Sequence, residues 1–426
     1  MEQTTHLGQF GPRAVSFCGL FVMVLLAWLL SAARRRVSLR VVAGGMLLQF
    51  LLALAILRTA PGHALFAAMG DFFTALLGFV DAGSSFMFHV FPREGDGEFP
   101  PPVILLRAFA FGVLPIIVFF SSLMSILYHL GVVQRVVALF ARVMQKVLGT
   151  SGAESLAAAA NIFVGQTEAP LVVRPYIPAM TQSELMAVMV GGFATIAGSV
   201  FAAYVQMGID AGHLMTASVI SAPAALLIAK VMQPEVEQPK TLGKVEIEIE
   251  RTTVNVVEAA AAGATDGMKL ALNVAAMIIA FLALIAMADA IIAWCGTWFA
   301  QTWSLAGGLG YAFSPLAWIM GIETQDCRPA GELLGLKMVT NEFVAYAQLS
   351  AWEQPDSGVK LAERTRIILT YALCGFANFG SIGIQIGGIG GIAPERRADL
   401  ARLGFRAMLG GTLACCMTAC IAGVLI

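Results

Sequence analysis

Residues 161–170 read NIFVGQTEAP, which places Asn161, Gln166, Thr167 and Glu168 within eight residues, alongside Gly165 and Pro170. A second polar knot, NEFVAY at 341–346, carries Glu342. Amide, hydroxyl and carboxylate groups together supply donors and acceptors. The surrounding text is close to hydrocarbon. A carboxylate inside a membrane span costs about 2.5–3.5 kcal/mol even on a lenient insertion scale. Such clusters either stay out of the bilayer or have a task there.

Composition settles the solvent. The 426 residues are 58% apolar and 12% charged, with mean hydropathy +0.80. A soluble chain of this length carries about twice that charged fraction. The net charge of −1 gives no global field that would attract nucleic acid or an acidic partner. Apolar runs recur at 14–33, 41–57, 103–130, 186–205, 215–231, 270–294 and 407–426. Each is near the roughly 20 residues that a helix needs to cross a bilayer. The expectation is an all-α polytopic membrane protein. The first run is followed by Arg34, Arg35, Arg36 and Arg40 and at once by a second run, so it does not read as a cleaved signal. The seven cysteines form no CxxC pair and read as small packing residues. The five histidines are scattered without HExxH, so no metal or haem site is expected.

Lys and Arg mark cytoplasmic loops. RRRVSLR at 34–40, the segment QRVVALFARVMQK with Arg135, Arg142 and Lys146, the polar stretch 234–253 and APERRADLAR at 393–402 all fit that side. Eight transmembrane helices with both termini external then balance the count. Residues 59–100 are expected to be external, with an interfacial helix. The divisions that follow are 1–100, 101–233, a cytoplasmic linker at 234–262, and 263–426.

Two stretches remain, roughly 135–180 and 305–350. They are too polar and too Gly/Pro-broken for a simple span, yet too apolar for a solvated loop. Two re-entrant hairpins, entering and leaving on one side, account for both. Irregular backbone at membrane depth survives only under cover of protein or a water-filled cavity. The halves also echo each other: GFATIAGS at 192–199 lies over GFANFGS at 375–381. Each block follows a polar carboxylate segment, with Glu168 and Glu342 lying 27 and 36 residues before Thr195 and Asn378. The pattern is an inverted repeat of hairpin, broken helix and final helix. Inverted repeats with interrupted helices are the build of secondary transporters, where exposed carbonyl ends coordinate a cation and exposed N–H ends hold a polar solute.

The segments GTSGAESLAAAANIFVGQTEAPLVVRPYIPAMTQSEL, NEFVAY and LCGFANFGSIGI resemble the concentrative nucleoside transporter family over essentially the whole chain, and most of all its bacterial sodium-coupled members. The resemblance implies a homotrimer in the bacterial cytoplasmic (inner) membrane, each protomer with eight spans and two hairpins divided into scaffold and transport domains. It implies that Gln166, Thr167 and Glu168 bond the nucleobase and that Phe376 packs against it. Glu342, Asn378 and Ser381 would hold the ribose. Without the resemblance, Asn378 and Ser381 read as interhelical hydrogen bonds and Phe376 as core packing. Arg174 reads as a hairpin-base residue rather than a counter-charge to Glu168. Two departures stand out. Gly380 sits where relatives often carry a small hydroxyl residue, and ETQDCRPAGELL at 323–334 matches the second hairpin's entry only loosely.

Concentrating a solute needs energy. No GxxxxGK[ST] occurs, so an ion gradient is expected rather than ATP hydrolysis within this chain. By the family pattern sodium meets the Asn161 amide oxygen, the Thr195 hydroxyl and the backbone carbonyls of Val164, Thr195 and Ile196. No other cofactor is implied. The function expected is nucleoside import by sodium symport through alternating access. The alternatives are a proton-coupled nucleoside or nucleobase carrier, an intramembrane enzyme using Glu168 and Glu342, which lacks an activated nucleophile or metal motif, and a channel.

Overall fold

In lipid a peptide backbone is satisfied by a helix or a closed barrel, and this chain takes the helix. The computed structural model describes residues 2–88, 114–242, 253–299, 301, 303–354 and 357–426. Parts of three sequence expectations lie outside the described residues: the start of the 103–130 span, the end of the 59–100 segment and the middle of the linker. The architecture is all-helical, with 80% helix and no strand among the described residues.

The elements in order are α1 (Glu2–Leu29), α2 (Leu39–Arg58), α3 (Ala60–Phe88), α4 (Leu114–His129), α5 (Val132–Leu148), α6 (Gly152–Ala160), α7 (Ala169–Val172), α8 (Gln182–Ala194), α9 (Gly198–Gln206) and α10 (Ala211–Met232). Then follow α11 (Val256–Thr297), α12 (Leu305–Ile319), α13 (Cys327–Val339), α14 (Glu342–Trp352), α15 (Glu363–Leu373), α16 (Phe379–Ile392) and α17 (Arg397–Leu425). Among the described residues seven stretches are long and apolar enough to cross a membrane, or eight if the bent pair α4–α5 is one span. One of the seven is Ala60–Val80. By length and composition that helix resembles a span as much as the interfacial helix expected there.

The stretches expected to be hairpins each begin with a separate helix. In the first, Gly131 and Gly149 adopt left-handed conformations (φ 73° and 74°) that bound α5. The chain bends by 75° between α4 and α5. Helix α5 is amphipathic: Val133, Val137, Ala141 and Met144 are buried while Arg135 and Arg142 are exposed. The polar segment proper therefore starts near residue 150. In the second stretch α12 plays the same part before α13 and α14.

Burial separates two populations of helix. In the apolar stretches of α8–α9, α10 and α17, 94%, 89% and 83% of residues are buried, against 6% in α11. Helix α17 lies at the centre and packs on α1, α2, α8, α10, α15 and α16. Helix α11 lies against α4 through small residues. A side chain on Gly263 or Gly267 would run into Ser121, Ser122 or Val118 of α4, and Ser122 Oγ donates to Ala260 O at 2.9 Å.

Both halves tie the start of the polar segment to the start of the broken helix that follows. In the first half, capping boxes open α6 (Ser151, Glu154) and α8 (Thr181, Glu184), and Ser151 Oγ donates to Glu184 Oε1 at 2.6 Å. In the second, Asp326 Oδ2 accepts from Thr365 Oγ1 at 2.7 Å and from Ala362 N at 3.0 Å. The first tie is extended by a buried ion pair. Lys230 Nζ lies 2.6 Å from Glu154 Oε2 and 3.1 Å from Glu235 Oε2, and donates to Ser183 Oγ at 2.9 Å. Thr241, at the start of the linker, accepts from Gly152 N through its carbonyl and from Ala153 N through its hydroxyl. The linker is thus fastened to the base of the first polar segment.

Removing one partner of a buried ion pair leaves the other charge uncompensated, at roughly 3–5 kcal/mol. Lys230→Met is expected to lower stability by about that amount, and Lys230→Met with Glu154→Gln by clearly less. Thermal unfolding in detergent measures both; equal losses in the single and double variants would rule out this account of the clasp.

Candidate functional site

Two helices of the buried body are broken. Helix α8 ends at Thr195, which is extended (φ −125°, ψ 169°), and α9 begins at Gly198. Helix α15 ends before Cys374, and α16 begins after Asn378. The breaks meet. Phe376 N donates to Thr195 O at 3.3 Å, and Cys415 Sγ of α17 reaches Cys374 O at 3.3 Å and Ala194 O at 3.7 Å. Gly375 permits the crossing: a Cβ there would stand 2.8 Å from Phe193 O and 2.7 Å from Cys415 Sγ.

The first polar segment is held against the first break. Gly198 N donates to Phe163 O at 3.0 Å, and Ser218 Oγ of α10 donates to Ile162 O at 2.8 Å. Asn161 ends α6 with its side chain against Gly191 of α8, 2.9 Å from where a Cβ would sit. Both atoms of its amide are buried without a hydrogen-bond partner. Thr195 Oγ1 donates to Gly191 O at 2.9 Å, which leaves its lone pairs free to accept. Val164 and Ile196 are buried beside these groups, and among the described turn and cap bonds none ends on either carbonyl. The Asn161 amide oxygen, the Thr195 hydroxyl and these carbonyls are all oxygen donors, the chemistry that suits a hard cation. Among the described residues no group of three His, Cys, Asp or Glu could hold a metal.

The second polar segment delivers its carboxylate to the second break. Asn341 caps α14 by accepting from Val344 N at 3.0 Å, which leaves Glu342 in the first turn. Glu342 is 2% exposed. Its Oε1 accepts from Tyr204 OH at 2.9 Å and its Oε2 from Asn378 Nδ2 at 3.3 Å. Asn378 in turn caps α16, taking Ser381 N at 2.8 Å. Across the breaks, Gln166 Nε2 donates to Ser381 Oγ at 3.1 Å. Thr167 packs on Gly388 of α16. Glu168 is exposed and accepts from Gly165 N at 3.3 Å. Phe376 is half-buried at the break itself.

Most of the candidate residues are therefore brought together in two linked groups, while Thr167 and Glu168 are exposed and bonded to neither. Asn161, Val164, Thr195 and Ile196 lie around the first break, and Gln166, Glu342, Phe376, Asn378 and Ser381 around the second. Arg174 is exposed and is no partner of Glu168 among the described ion pairs. Sequence reasoning missed three residues here. Tyr204 holds Glu342 from α9. Lys337, 3% exposed, donates to Ala372 O at 2.9 Å and caps the C-terminal end of α15. Gln385 bonds Gln166 and Met189 O, each at 3.1 Å. A lone amide in SIGIQIGGIGG and a lone lysine in an apolar segment were the available signals, since neither is tolerated in a span without a partner.

A buried carboxylate and buried amides set between two interrupted membrane helices are the arrangement of a secondary transporter. The comparisons specify it. Residues 18–90 and 213–423 match the sequence families described as "Na+ dependent nucleoside transporter" N-terminus and C-terminus, and residues 110–211 match "Nucleoside recognition". An "Uncharacterized transporter" of Haemophilus influenzae is 48% identical over 96% of this chain and 97% of its own. Human "Solute carrier family 28 member 3" is 45% identical over 99% of this chain and 61% of its own. Mouse "Sodium/nucleoside cotransporter 1" is 44% identical over 97% and 64%. The chain spans only about three-fifths of the length of such vertebrate relatives. Among solved structures, CNTnw in an inward-facing substrate-bound state is 44% identical with TM-score 0.89, covering 97% of each chain. A CNTnw double variant in an outward-facing state is 43% identical with TM-score 0.88, covering the same shares. The chain belongs to the Na+ dependent nucleoside transporter family.

Tyr204→Phe deletes one donor to a buried carboxylate and keeps the ring. The expected loss is about 1–3 kcal/mol, the cost of an unmet buried acceptor, read as a lower unfolding midpoint in detergent. An unchanged midpoint would show that Glu342 does not depend on Tyr204.

Proposed function

We propose that this chain imports nucleosides across a bacterial cytoplasmic membrane by sodium symport, with the site between the two broken helices opening alternately to either side. The observation that carries the reading is the junction at the breaks. There the first polar segment carries a buried Asn161 amide without a partner and, five residues on, Gln166, which is bonded into a cluster with Ser381, Asn378 and Glu342. In this reading Gln166, Thr167 and Glu168 bond the nucleobase and Phe376 packs on it. Glu342, Asn378 and Ser381 bond the ribose hydroxyls, with the carboxylate supplying the strong, charge-assisted bond.

Sodium takes the Asn161 amide oxygen, the Thr195 hydroxyl and the carbonyls of Val164, Thr195 and Ile196. The Thr195 carbonyl already accepts from Phe376 N and has a second lone pair to give. An ion bound there polarises the peptide that positions the aromatic ring, so ion and solute each favour the geometry the other needs. The two polar segments are re-entrant hairpins of an inverted repeat. The recurrence of element order, and the same tie from hairpin base to broken-helix start in each half, support that view. The inward-facing and outward-facing forms of the similar structures support a fixed scaffold with a mobile transport domain; a homotrimer with both termini facing outward completes the proposal.

Uridine uptake into proteoliposomes is the test. An inward sodium gradient should drive accumulation, and collapsing it should abolish accumulation. Uptake that ignores sodium and follows a pH gradient would instead establish a proton-coupled carrier. Glu342→Gln and Glu168→Gln should each reduce uptake by at least tenfold, since each removes a charge-assisted bond; near-normal transport by both would remove the site assignment. Asn161→Ala should raise the sodium concentration needed for half-maximal uptake by about tenfold or more while uridine binding at saturating sodium is largely kept. An unaltered sodium dependence would take Asn161 out of the ion site.

A further inference from the structure

Gln385 lies on α16 one turn after Ser381 and is 1% exposed. Its Nε2 donates both to Met189 O of α8 and to Gln166 Oε1, each at 3.1 Å. A carbonyl can only accept, so Met189 fixes which end of the Gln385 amide faces the first broken helix. The nitrogen it fixes is also the atom that Gln166 meets, so Gln166 must present its oxygen there. Its Nε2 is then left for Ser381 Oγ, where the bond is found at 3.1 Å. Gln385 Oε1 has no partner and plays no part in setting the orientation. Gly192 makes the space: a Cβ there would come within 2.8 Å of Gln385 Nε2 and 2.9 Å of Gln166 Cβ. One lone pair and one N–H of Gln166 remain for a solute, in an order along the amide that is not free to reverse.

We propose that Gln385 is a positioning residue that fixes which way round the Gln166 amide faces, and through it which donor–acceptor order of a pyrimidine base the site prefers. The proposal rests on the assignment of Gln166 to the nucleobase. Uridine and cytidine probe it directly. One carries N–H and carbonyl at ring positions 3 and 4, and the other carries an acceptor nitrogen and an amine, so donors and acceptors are exchanged.

Gln385→Glu puts an oxygen where Nε2 was. Ionised, that oxygen only accepts; protonated, its one hydrogen is taken by Met189 O. In either form Gln166 must turn its Nε2 toward residue 385 and its Oε1 toward the Ser381 hydroxyl, which can donate. The uridine-to-cytidine affinity ratio, measured in proteoliposomes at saturating sodium, should shift by about tenfold or more. The penalty for 2′-deoxyuridine against uridine and the sodium dependence should stay as in the parent chain. Gln385→Met keeps the volume but removes both donors, and should flatten the ratio by releasing Gln166. Should the glutamate variant fail to fold, the methionine variant decides. A parental ratio in either folded variant overturns the proposal, as does an equal change in every ligand and in sodium dependence. Gln166→Leu run alongside separates the two levels. If it binds uridine as the parent does, the base-contact reading has failed; if it loses affinity while the Gln385 variants do not, only the role of Gln385 has failed.

Discussion

A peptide group released from a helix must find another partner where water is absent, and this chain releases two sets of them, at the breaks between α8 and α9 and between α15 and α16. The solution is mutual. The first break supplies the acceptor and the second the donor, in the bond from Phe376 N to Thr195 O. Two further groups are met from outside the breaks, by Phe163 O for Gly198 N and by Cys415 Sγ for Cys374 O. The rest of the structure follows from this requirement. The polar segments must come to the breaks, α17 must pass behind them, and Gly375 must lack a side chain for the two backbones to approach.

Side chains at the junction obey the same rule. Glu342 has one partner from α9 and one from α16. Gln166 has one from each of two residues on α16. No element holds its polar group alone, so the junction is a single network, and low dielectric makes each member costly to leave unpaired. The exceptions are Oε1 of Gln385 and both atoms of the Asn161 amide. Asn161 stands apart because neither end of its amide is met, in keeping with the ion site proposed for it.

Much of this was legible in the sequence. The polar knots around Glu168 and Glu342 stood out because carboxylates are rare inside spans, and the GFATIAGS and GFANFGS blocks mark the two breaks themselves. The apolar runs located most of the long helices. Periodicity did not separate α5 and α12 from the segments they precede, because an amphipathic helix and a hairpin arm share the same mixed text; the αL glycines at 131 and 149 carried the boundary. Nor did it reveal Tyr204, Lys337 or Gln385. Each serves a partner distant in the chain, and a partner of that kind leaves no local pattern. The buried clasp of Lys230 with Glu154 was hidden for the same reason.

Helix α16 divides its two sides unusually. Ser381, Gln385 and Ile389 fall four apart on the buried side. Gly383, Gly387 and Gly391 fall four apart on the exposed side, where a Cβ at any of them would meet nothing within 4 Å. Each glycine gives up about 1 kcal/mol of helix propensity relative to alanine, so the bare strip is held in place by the chemistry opposite it. Phe379 and Ile384 stand exposed on the same helix. Between them and beyond, the strip offers a neighbour only backbone hydrogens, with no side chain to interlock.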